Sequence, residues 1–79
     1  MKTMTQHIER SHRVADLAAR EKLETLERAV QAMKDAYVTT GEVDAGKIAD
    51  VSTYLMEAGL QMQEADSRRR AKALVESLE

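Results

Sequence analysis

The chain has 79 residues without cysteine, proline, phenylalanine or tryptophan, and its 12 basic and 14 acidic side chains leave a net charge of −2. A chain of that length forms one domain at most and buries too small a share of its surface to be comfortably stable without a partner. The composition excludes disulfides and thiolate metal sites, and a charged fraction of 33% with so little net charge fits long soluble helices better than a basic or acidic tail.

A first helix is expected over about 5–38, with Thr3 and Gln6 in capping-box spacing and strong helix formers throughout. At 1.5 Å per residue it would be about 50 Å long. Its apolar stripe is Leu23, Leu26, Val30, Met33 and Tyr37, stepping by three and four. Upstream the stripe becomes small and then polar through Ala19, Asp16 and His12, while Met4, Ile8, Val14 and Leu17 suggest a separate docking patch. The turn falls at 39–44, because Thr39 and Thr40 are weak helix formers, Gly41 is a natural left-handed terminator and Asp44 is a good N-cap.

A second helix is expected over about 45–78, with its stripe at Ile48, Val51, Leu55, Ala58, Met62 and Ala65. Gly59, beside Ala58, is expected to permit close helix approach. Folding back at the turn sets Tyr37 on Ile48, Met33 on Val51, Val30 on Leu55, Leu26 on Ala58 and Leu23 on Met62, with Asp16 near Arg69 as a charge pair. The expected architecture is an all-α, single-domain antiparallel hairpin spanning 1–79. A further apolar line on helix two, Met56, Leu60, Ala71, Leu74 and Leu78, is expected to be the partner or dimer interface and to pair two hairpins into a four-helix bundle.

No catalytic residues, cofactor site or metal site are expected. His7 and His12, five apart, lie on different helix faces, and Gly41 and Gly46 lack the Lys-Ser/Thr of a phosphate loop. Asp44 and Asp50 are too few for a calcium loop. Glu24 and Arg28 have the favourable four-residue spacing of a solvated pair. Arg68, Arg69, Arg70 and Lys72 form a possible basic patch for phosphate, but Glu64, Asp66, Glu76 and Glu79 lie within reach to neutralise it. With no aromatic residue nearby to stack on a base, nucleic acid is a disfavoured partner. The start lacks the apolar run of a signal peptide, and no stretch approaches the roughly 18 apolar residues that span a bilayer, so a cytoplasmic protein without a membrane partner is expected.

From Met33 to Ala58 the chain resembles the C-terminal region of the flagellar anti-sigma factor FlgM family. The likeness is carried by Gly41-Glu42, the segment Asp44-Ala45-Gly46-Lys47-Ile48-Ala49-Asp50 and the helical Leu55-Met56-Glu57-Ala58. It implies a sigma-binding surface at Ile48, Ala49, Val51 and Leu55. The spacing from Gly41 to Asp44 is shorter than is usual in that family, and this chain opens on a helix-forming segment where the family is rich in Ser and Thr. In architecture alone the hairpin is also similar to the small cochaperones of type III secretion needles.

The expected function is that of a non-catalytic interaction module acting through self-association and helix-face docking to another helical protein, as an adaptor, chaperone or assembly factor. The alternatives are an anti-sigma regulator that sequesters a flagellar-type sigma factor and a small dimeric nucleic-acid-associated regulator.

Overall fold

A computed structural model describes the backbone of residues 2–78 and the side chains of residues 4–78. Two helices make up the fold, α1 over Lys2–Thr40 and α2 over Ala45–Leu78, joined by Gly41 to Asp44. They pack side by side in a rod of 59 × 14 × 13 Å. α1 is longer than expected at both ends. The side chain of Thr3, and with it the expected capping box, lies outside the described residues.

The turn follows from local chemistry. Gly41 takes φ 71°, where a Cβ would be strained, and its N–H donates to the Tyr37 carbonyl at 2.7 Å, closing α1 with a left-handed cap. Thr40 Oγ1 donates to the Ala36 carbonyl at 2.8 Å and accepts the Glu42 N–H at 3.1 Å. At the start of α2, Asp44 Oδ1 accepts the N–H groups of Gly46 at 2.9 Å and Lys47 at 3.2 Å, as an N-cap does. Four residues therefore reverse the chain while satisfying backbone groups at both helix ends.

The expected register holds where grooves bring the helices together. Tyr37 and Ile48 line one groove near the turn, and Leu23 and Met62 line another further along.

The expected seam needs a correction, however. Of the eleven stripe residues, only Ala58 and Ala65 are buried; Leu26, Met33 and Val51 are half-buried, while Leu23, Val30, Tyr37, Ile48, Leu55 and Met62 are exposed. The helices meet one position to the side. On α1 the covered positions include the series Ile8, His12, Ala15, Ala19, Lys22, Leu26, Ala29, Met33 and Ala36, and on α2 the series Val51, Tyr54, Ala58, Gln61, Ala65, Lys72 and Val75. The α1 series alternates steps of four and three throughout, and the α2 series does so except for one step of seven from Ala65 to Lys72, the 3.5-residue period of a coiled-coil seam.

Small side chains explain the shift. The buried apolar residues among those described are Ala15, Ala19, Ala58 and Ala65, so the helices close on alanine, and the bulkier residues of the stripes are left beside the contact.

Gly59 is a second correction. A Cβ built there would meet nothing within 4 Å, so it does not mediate approach between the two helices. Gly59→Ala should raise the stability of the hairpin by up to about 1 kcal/mol, the ordinary helix-propensity difference, measured by urea denaturation. A loss of stability would show that something outside the hairpin needs the missing Cβ.

Candidate interaction surface

The displaced stripes form a face. Leu23, Val30 and Tyr37 stand seven apart on α1, and Ile48, Leu55 and Met62 stand seven apart on α2. A seven-residue step nearly completes two helical turns, so each row stays on one side of its helix. The two grooves show that the rows lie on the same side of the hairpin. One is lined by Ala19, Leu23, Met62 and Ala65 together with Asp16 and Arg69, and the other by Met33, Tyr37, Val43 and Ile48. Both are open furrows between the helices. Leu55 is 56% exposed and Tyr37 57%, in the middle and at the turn end of the face.

Toward the open end of the hairpin the same rows become charged. Continuing each by sevens gives Asp16 and Glu9 on α1, and Arg69 and Glu76 on α2. The expected Asp16–Arg69 pair does not form, because each group has a nearer partner on its own helix. Arg20 Nε donates to Asp16 Oδ2 at 2.9 Å, and Arg69 donates to Asp66 Oδ1 at 2.6 Å.

The other edge of the hairpin is closed by polar groups. Lys22 Nζ bridges to Glu57 Oε2 at 3.0 Å, and Arg68 donates to Ser11 Oγ at 2.7 Å, both across the helices. The Lys22 and Glu57 side chains retain 41% and 40% of their exposure, so water screens the pair and its worth is about 0.2 to 1 kcal/mol. These contacts contribute to register more than to stability.

The expected partner line is exposed. Met56, Leu60, Leu74 and Leu78 are among the exposed large apolar residues, and Ala71 is exposed too. It is interrupted, with Gln63, Glu64, Ser67, Arg68 and Arg70 falling between Leu60 and Ala71. On α1, Met4, Val14 and Leu17 are exposed and Ile8 is half-buried.

The basic run is neutralised by its neighbours. Arg68 pairs with Glu64 at 2.7 Å, Arg69 and Arg70 share Asp66 at 2.6 and 3.0 Å, and Lys72 lies 4.0 Å from both Glu9 and Glu76. Glu79, also expected to contribute, lies outside the described residues. The Arg69 hydrogen bond draws the Asp66 carboxyl below its ordinary 3.8 against the opposing desolvation, aided by the charges of Arg70 and Arg69. With the folded value depressed, the contribution of this carboxylate is present above 3.8 and is lost as pH falls through the folded value.

Elsewhere Arg28 turns to Thr25 Oγ1 at 3.4 Å. His7 is exposed and His12 half-buried. Among the described residues no group of three His, Cys, Asp or Glu side chains is placed to hold a metal ion, and no helix is long and apolar enough to cross a membrane.

No protein-family model, curated protein or solved structure matches this chain. The surface itself therefore carries the functional argument.

Proposed function

We propose that this chain is a non-catalytic helical interaction module that works by self-association and by docking helix faces on a protein partner, as an adaptor, chaperone or assembly factor does. The observation that supports this reading is a mismatch between core and surface. Among the described residues no large side chain is fully buried, while fifteen large apolar ones are exposed.

The mismatch has a size. The chain exposes 6205 Å², whereas a compact folded protein of its mass exposes about 4,800 Å², an excess on the order of 1,400 Å². Its radius of gyration of 17.7 Å likewise exceeds the roughly 12 Å of a globular domain this long. A standard protein interface takes about 800 Å² from each partner, so the excess suffices for one or more such contacts. Mechanistically, apolar rows on paired helices would interdigitate with those of a facing helix pair, and charged residues outside the rows would set alignment.

Sedimentation equilibrium with circular dichroism tests the proposal. Highly helical protein with a mass above one chain, returning to one chain on dilution, is the expected result. A fully helical chain that stays monomeric at every concentration would sink the self-associating reading.

A second reading keeps the resemblance to the FlgM family in view, since Ile48, Ala49 and Leu55 of its implied sigma-binding surface are exposed. Titration with a flagellar sigma factor should then give a one-to-one complex weakened by Ile48→Glu. No binding would remove that reading.

A further inference from the structure

We infer that the face bearing Leu23, Val30, Tyr37, Ile48, Leu55 and Met62 is where a second copy of this chain sits, joining the turn-proximal halves of two hairpins in a four-helix bundle. The inference rests on the self-association proposed above and names its surface, which differs from the line through Met56, Leu60, Ala71, Leu74 and Leu78.

Three observations select this face. Its apolar residues come from both helices in matched rows of seven, so a copy turned about a twofold axis meets a surface of the same kind, whereas the Met56 to Leu78 line belongs to α2 alone and is interrupted by charge. The face is continuous with the core: the furrows along it are floored by Ala19, Ala65 and Met33, which also take part in the helix contact. A facing helix pair would therefore add bulky side chains to a seam whose buried residues are all alanines. The opposite edge is crossed by Lys22–Glu57 and Arg68–Ser11, and the furrow it holds is lined mainly by polar and charged groups, His7, Arg10, Ser11, Gln61, Glu64 and Arg68, beside Val14, Ala15 and Ala18.

The extent of the face sets how far the copies overlap. Leu23 to Tyr37 is fourteen residues of helix, about 21 Å. Beyond it lie Asp16, Glu9, Arg69 and Glu76, whose charges would lose water if the contact extended over them. The interface thus ends where the rows turn polar, and the open halves remain solvated. Over the chain as a whole, the excess of about 1,400 Å² exceeds the roughly 800 Å² that each partner gives to a standard interface, so the hairpin has surface to spare for a second copy.

The chain has no native cysteine, which allows a direct test. Leu55→Cys and Leu60→Cys are made singly and alkylated in the folded, reduced protein. In the isolated hairpin the two positions are comparably open, Leu55 at 56% and Leu60 at 64%, so only a bound copy distinguishes them. Above the association midpoint the Leu55→Cys thiol should react at least about tenfold more slowly, with the gap closing on dilution. A companion variant, Val30→Glu with Leu55→Glu, should sediment as one chain, whereas Leu60→Ser with Leu74→Ser should remain associated.

Equal alkylation rates in a protein that sediments as more than one chain would overturn the face while leaving self-association standing. So would dissociation by the Leu60 and Leu74 changes alone. A wild-type chain that is monomeric throughout would overturn both.

Discussion

Ala58→Asp should unfold the hairpin. Ala58 has no exposed surface and sits where α2 closes on α1, so a carboxylate there loses its water, and the nearby Lys22 is already paired with Glu57. Leaving a charge buried and unpaired costs about 3 kcal/mol or more. The core it disrupts consists of alanines, and a domain with so little burial has a total stability toward the low end of the usual range of about 5–15 kcal/mol. Thermal melts followed by circular dichroism should show the helical signal lost at or below room temperature. Leu55→Asp is the informative contrast. As a seam residue opposite Val30, its place in the expected register, Leu55 would not tolerate Asp without unfolding of the chain. Its actual exposure means the new charge is solvated in the hairpin, so the change should weaken association first. A normal melt for Ala58→Asp would mean that the alanine seam does not hold the two helices together.

The melting temperature of the wild-type chain should rise with its concentration. When folding is coupled to dimer formation, mass action favours the folded state, and each tenfold change in concentration is worth about 1.4 kcal/mol per dimer, or about 0.7 per chain. For a domain of this size that amounts to roughly 3–6 °C per tenfold change. The effect should fall sharply in Val30→Glu with Leu55→Glu, whose glutamates are good helix formers and so spare local propensity. A melting temperature independent of concentration in the wild type would argue that the hairpin stands alone, with its exposed rows reserved for a different protein.

Much of the fold can be read from the sequence. The uninterrupted helix formers, Gly41 and Asp44 define two helices and the turn between them, because capping and left-handed geometry are local properties of few residues. The pairing of Tyr37 with Ile48 and of Leu23 with Met62 also follows from counting outward from the turn.

Rotation of the helices about their axes does not follow so directly. The series Leu23, Leu26, Val30, Met33, Tyr37 and the series Lys22, Leu26, Ala29, Met33, Ala36 share two members and differ by one position elsewhere. Hydrophobicity favours the first, but close approach favours the second, since alanines let the backbones come together while Leu and Tyr hold them apart. The clue available in the sequence was the set Ala15, Ala19, Ala29 and Ala36, whose steps fit a heptad seam with Ala58 and Ala65 opposite. The expected pairing of Asp16 with Arg69 fails for a related reason, as carboxylates and guanidinium groups on the same helix turn outcompete partners across a seam.

The four-residue turn bears more than a change of direction. Alanine faces have little relief, so one helix can slide along the other by a heptad, about 10 Å, and find nearly the same surface again. Knobs and holes that would lock a bulkier seam are largely missing from this one. Longitudinal alignment is therefore held at its end, where the caps of Gly41 and Asp44 leave no slack, with Lys22–Glu57 and Arg68–Ser11 acting as catches along its length. The hairpin behaves as a ruler fixed at zero, on which every rung of the outward face keeps its height only because the hinge is short.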